Sequence, residues 1–115
     1  MQPPTKAENI YPRTKENIRY IFQHFFPKEK HSIIDDHTEY VFENRGLELN
    51  QIEFVAKISS LHYDHLRRIQ PKRFLPMATV YNLVSAAFYG FPKMSNNSQS
   101  TIREIKEYFN SVNAN

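Results

Sequence analysis

At 115 residues the chain is long enough for one well-buried core and too short for two. It has no Cys, which excludes disulfide frameworks, thiolate zinc sites and thiol nucleophiles together, and its 40% apolar content argues against wholesale disorder. The net charge of +3 points only weakly to a polyanionic partner, so the distribution of charge matters more than its sum.

In chain order, residues 1–13 read as a flexible arm containing Pro3, Pro4 and Pro12. The arm has no apolar h-region, and no later run approaches the length of a membrane span, so a cytoplasmic, membrane-free protein is expected. Thr14 is a candidate N-cap for a helix to about Phe26. Ile18, Ile21, Phe22 and Phe25 recur on it at helical spacing, and Pro27 closes it. Asp35 or Asp36 can cap a second helix to about Asn44, with Tyr40 and Val41 inward and Gly46 as a left-handed stop. Asn50 and Glu53 resemble a capping box for a third helix with Phe54, Val55 and Ile58 on one face. Ser59 and Ser60 are expected to interrupt it.

A short helix from about His62 to Gln70 then turns Leu66 and Ile69 inward and ends at Pro71. Pro76 suits a first helical turn, where its missing N–H is an orphan in any case. Val80, Leu83, Val84, Ala87 and Phe88 follow as a strong stripe, stopped by Gly90 and Pro92. After a polar loop, Ile102, Ile105, Tyr108, Phe109 and Val112 mark a last amphipathic helix from about Gln99. About six helices and no strand make the expected class all-α.

Charge divides along this order. Between Leu61 and Pro76, Arg67, Arg68, Lys72 and Arg73 stand against Asp64 alone. The segment before it, from Glu29 to Glu53, is acidic. A single basic edge is the electrostatic footprint of a nucleic-acid binder, though scattered solvated charge fits the same count.

Between Tyr40 and Gly90 the pattern is helix, Gly stop, capped short helix, tight turn, second short helix, basic loop, Pro-led helix, Gly stop. Two short helices joined by a tight turn form a helix-turn-helix, whose second helix enters the DNA major groove. Here the residues resemble a family. Asn44-Arg45-Gly46-Leu47 followed by Asn50-Gln51-Ile52-Glu53-Phe54-Val55 is similar to the "RGLTQEELA" opening of lambda-repressor-like (Xre/Cro-type) domains. Leu66-Arg67-Arg68-Ile69-Gln70 is similar to the "ISRIE" of their recognition helix. Lys72-Arg73 with Pro76 resembles their basic loop and proline, and Val84-Ser85 with Phe88 stands in their next helix. The chain departs from the pattern in lacking the turn Gly, in placing Pro71 before Lys72, and in opening the recognition helix with His62-Tyr63.

The resemblance implies a small orthogonal helical bundle, a single domain over 14–115 with its helix-turn-helix core at 36–91. Amphipathic helices are added at both ends; they either extend the core or form a homodimer face. It implies sequence-specific binding of double-stranded DNA by a phage-repressor-type transcriptional regulator. Gln51 would position a phosphate by that resemblance, or serve as a local cap. With Leu66 and Ile69 inward, Asp64, Arg67 and Arg68 point outward and Tyr63 lies at the flank. Arg donates to guanine, Asp accepts from cytosine N4, and Tyr reaches a phosphate or a thymine methyl or else packs. Lys72 and Arg73 would make backbone contacts.

No G-x-S-x-G, H-E-x-x-H, P-loop or Rossmann fingerprint occurs, so no catalysis is expected. His62 and His65 can share a helix face but have no third ligand at a recognisable spacing. No metal, cofactor or small-molecule ligand is expected. The alternative to DNA binding is a helix-turn-helix used for protein contacts, as in an adaptor or an antitoxin-like protein. An adaptor should expose a contiguous apolar patch on its terminal helices.

Overall fold

The computed structural model describes residues 3–4, 11–44 and 46–113. Among these residues the regular structure is entirely helical: α1 (Lys15–Phe25), α2 (His31–Glu43), α3 (Leu49–Leu61), α4 (Tyr63–Ile69), α5 (Met77–Tyr89) and α6 (Gln99–Asn113), with a 3-10 turn at Asn96–Ser98. The chain divides into two compact units, Gln2–Ser60 and Leu61–Asn115. No helix of the described residues is long and apolar enough to cross a membrane.

In the N-terminal unit, α1 begins as its sequence requires. Thr14 is extended and its Oγ1 accepts the Asn17 N–H at 3.1 Å, satisfying one orphan donor of the first turn. Ile18, Ile21 and Phe22 are buried, and α1 packs on α2. Most of the expected arm, residues 1–2 and 5–10, lies outside the described residues. Arg13, its last residue, is anchored. Its guanidinium donates to the carbonyls of Val41 (2.9 Å), Phe42 (3.1 Å), Asn44 (2.7 Å) and Leu47 (2.8 Å).

Helix α2 starts at His31, a full turn before the aspartates expected to cap it. Asp35 and Asp36 are exposed within the helix, and Asp35 instead pairs with Arg19 at 2.9 Å. The buried face is Ile34, His37, Thr38 and Val41, a regular 3–4 spacing that needs a turn of helix before Ile34. Tyr40 falls off this face and is 42% exposed, against the inward position expected for it. The helix ends at Asn44, whose backbone is extended. The expected stop at Gly46 follows Arg45, which lies outside the described residues.

Helix α3 also opens earlier than expected. Ile52 N–H bonds the Glu48 carbonyl, and Gln51 Oε1 accepts the Glu48 N–H at 2.9 Å. The reciprocal arm of the capping box is therefore Glu48 with Gln51, two residues before the Asn50–Glu53 pair. Ser59 and Ser60 do not interrupt the helix. Their hydroxyls donate to the carbonyls of Val55 (2.7 Å) and Lys57 (2.9 Å), so the helix absorbs them. The break falls at His62, with φ −113° and ψ 16°.

In the C-terminal unit, Leu66 of α4 is 1% exposed and Ile69 half-buried. The helix phase read from the sequence is right, with Ile69 at the edge of the buried face. Gln70, at the end of α4, donates through Nε2 to Thr101 Oγ1 of α6. Pro76 is the N-cap of α5, one residue earlier than a first-turn position. Helix α5 buries Met77, Val80, Tyr81, Leu83, Val84, Ser85, Ala86 and Ala87, nearly its whole circumference. Phe88 is only half-buried, with its ring 5.2 Å from Phe109 of α6. Helix α6 buries Ile102, Ile105 and Phe109. On both terminal helices most of the expected apolar stripe is buried or half-buried within the chain, while Val112 of α6 is 50% exposed.

Gly90 ends α5 in the left-handed region, φ 68° and ψ 17°, with its N–H on the Ala86 carbonyl at 2.8 Å. A Cβ there meets nothing within 4 Å, so any penalty is purely one of backbone conformation. Gly90→Ala is expected to cost about 1–2 kcal/mol and Gly90→Asn less, read from thermal unfolding. Equal stability of all three would mean that α5 can end in another conformation.

Candidate nucleic-acid interface

Helix α4 and the loop after it carry the basic residues. With Leu66 inward, the 3.6-residue repeat turns Asp64, Arg67 and Arg68 outward, and all three are exposed. Pro71 cannot continue the helix, and Leu75 returns the chain to the core. Between them Lys72, Arg73 and Phe74 are all exposed, Phe74 to 73%.

These residues form one surface feature. Arg67, Pro71, Lys72, Arg73 and Phe74 line an open hollow of about 310 Å³. The Arg67 guanidinium lies over two rings, 4.8 Å from the centre of Tyr63 and 5.3 Å from that of Phe74. Arg68 follows Arg67 on α4, roughly 100° further round the helix. Among the described residues the ion pairs are Lys15–Glu39 and Arg19–Asp35, so none of these four cations is neutralised by a carboxylate.

Two expected residues sit differently. Gln51 is 5% exposed, its Oε1 is used on the Glu48 N–H, and its Nε2 reaches the Pro4 carbonyl at 3.5 Å. Burial and this local bonding make it a cap and remove it from the exposed set. Tyr63 is half-buried and its hydroxyl donates to the Leu75 carbonyl, tying the start of α4 to the entry of α5. Tyr63 therefore holds the loop and supports Arg67 with its ring.

His62 and His65 do share a side, but they meet aromatic rings of α6. His65 stacks on Tyr108 with centroids 3.9 Å apart, and His62 meets Phe109 edge-on at 4.5 Å. Burial is the main cause that lowers both imidazole pKa values; His65 adds to the shift at His62 and Arg68 to that at His65, while Glu104 opposes the shift at His65. Among the described residues no group of three His, Asp or Glu side chains could hold a metal.

The residue that sequence reasoning missed is Phe74. Its signal was a large apolar side chain directly after two cations and directly before a second apolar residue, Leu75. A second hollow, in the N-terminal unit, is lined by Tyr11, Asn17, Tyr20, Ile21, Leu49 and Glu53. It contains a carboxylate and no cation, which is the wrong chemistry for a polyanion. Compared with known proteins, the chain matches no family model, no curated protein and no solved structure.

Proposed function

We propose that this chain binds double-stranded DNA through α4 and the loop that follows, as a transcriptional regulator built on a lambda-repressor-like helix-turn-helix. The observation that carries the reading is the hollow where Arg67, Lys72 and Arg73 converge without a carboxylate partner among the described residues. Uncompensated cations on one exposed edge attract phosphates and release their counterions on binding. The order of elements adds support: α3, the short α4, the basic loop, a Pro-capped α5 and the Gly90 stop.

The roles follow from position. Lys72 and Arg73, on the loop, contact phosphates. Arg68, outward on α4 and away from the hollow, reads a base edge, with Asp64 one turn before it. Arg67 bridges the two sets. An adaptor is the weaker alternative, because the apolar faces of α1 and α6 are buried and their exposed large apolar side chains are only Tyr20 and Val112.

The test is a salt series with random-sequence duplex, followed by selection of the bound sequences. Lys72→Ala or Arg73→Ala should weaken every sequence alike and lower the salt slope by about one each. Arg68→Ala should cost about 1–3 kcal/mol on the selected site and relax one base position; Arg67→Ala should do the same less selectively. Absence of salt-sensitive binding at micromolar protein, or unchanged binding after joint replacement of Arg67 and Arg68, would overturn the reading.

A further inference from the structure

The basic hollow has an aromatic wall that phosphate binding does not explain. Phe74 is the most exposed large apolar side chain among the described residues, at 73%, while its neighbour Leu75 is fully buried. The core therefore takes one of two adjacent apolar residues and leaves the other in water. Buried Leu75 and the α5 cap Pro76 fix the chain on one side of Phe74, and the Arg67 guanidinium lies 5.3 Å from its ring centre. Lys72 and Arg73 precede it and line the same hollow.

A phenyl ring offers nothing to a phosphate. In an intact duplex the bases show only their edges in the grooves, so a ring face gains little there. It gains a partner when a base step is opened or a base leaves the stack, and base–aromatic stacking then contributes substantially whatever the sequence. A guanidinium plane stacks on bases as well, and Arg67 already lies beside the ring. Three cations to grip the backbone and one pre-positioned ring beside them make a combined site.

We propose that Phe74 stacks on an unstacked base, so that the ligand of this hollow is duplex DNA opened at one step. This deepens the DNA-binding reading and rests on it.

The test uses the full chain and three fluorescently labelled probes of matched sequence: an intact duplex, the same duplex with one unpaired base, and the single strand. A 2-aminopurine at the unpaired position reports stacking. The wild-type chain should bind the bulged duplex most tightly and change the 2-aminopurine emission. Phe74→Ala should weaken that probe on the order of 10- to 100-fold and abolish the emission change, a larger loss than on the intact duplex. Phe74→Trp should restore both. The salt slope should stay unchanged in both variants, because no charge is removed. Because Phe74 is exposed, unchanged helical circular dichroism is the expected folding control.

Equal wild-type affinity for intact and bulged duplex, or an equal loss on both in Phe74→Ala, would overturn the stacking role and leave duplex binding standing. Tightest binding to the single strand would overturn the assignment to an opened duplex. No binding to any probe would overturn both this proposal and the function on which it rests.

Discussion

Arg13→Ala is expected to destabilise the N-terminal unit by about 3 kcal/mol, more than any surface substitution of comparable chemistry. The last carbonyls of a helix have no partner within it, and they carry the negative end of its dipole. At the end of α2 three of the carbonyls concerned are those of Val41, Phe42 and Asn44, and a fourth, from Leu47, lies on the segment leading into α3. A guanidinium has five N–H donors in a planar fork and can serve all four at once. Its position also lies 5.8 Å from the Phe42 ring centre, where Lys15 Nζ approaches at 5.3 Å. Removing the side chain leaves four carbonyls to find water in a part-buried corner. Arg13→Lys should recover less than half of the loss, because one ammonium cannot reach carbonyls spread from Val41 to Leu47. Urea unfolding followed by circular dichroism would measure both variants. A loss below about 0.5 kcal/mol in Arg13→Ala would mean that water replaces the guanidinium at no net cost.

Arg13 also shows where sequence reading stops. Its partners are backbone carbonyls, which every residue has, so nothing in the sequence marks Val41 or Leu47 as its acceptor. The legible features were local ones. Thr14 caps by its own hydroxyl, Gly90 ends a helix at a left-handed φ that few other residues adopt, and the stripes of α5 and α6 are mostly apolar, with Ser85 and Thr101 as the buried polar exceptions. Helix α2 was misread because half its buried face is polar. With His37 and Thr38 hidden among the polar positions, Ile34 and Val41 alone did not set the phase, and Tyr40 took a place it does not hold. Ser59 and Ser60 looked like a break, but whether a hydroxyl leaves a helix or bonds back to it depends on what surrounds it. At the site, the outward phase of Asp64, Arg67 and Arg68 followed from Leu66 and Ile69. Phe74 did not, because Phe74 and Leu75 are adjacent and equally apolar, and only the packing of the loop decides which one enters the core.

His37 is expected to make the N-terminal unit acid-sensitive in a window set by burial. It is 3% exposed, with its ring 4.9 Å from Phe22 and 5.9 Å from Tyr40. Burial penalises the charged imidazolium and lowers its pKa from 6.5 to about 4. In the unfolded chain His37 protonates below about 6.5, whereas in the folded chain it resists until about 4. Between those values the unfolded state binds more protons, so stability rises with pH. The contribution is fully present above about pH 6.5, is lost as the pH falls to about 4, and amounts to about 3 kcal/mol at its greatest. His62 and His65, whose pKa values are also lowered, add to the C-terminal unit in the same direction. His37→Leu should therefore flatten the acid limb for the N-terminal unit without removing it from the whole chain. The measurement is amide hydrogen exchange in α2 and α6 at several pH values, corrected for intrinsic exchange rates, with the His37 imidazole followed by NMR. An imidazole that titrates near 6.5 in the folded protein, or an α2 whose opening free energy falls equally with pH in wild type and His37→Leu, would show that burial of this ring does not control the acid response.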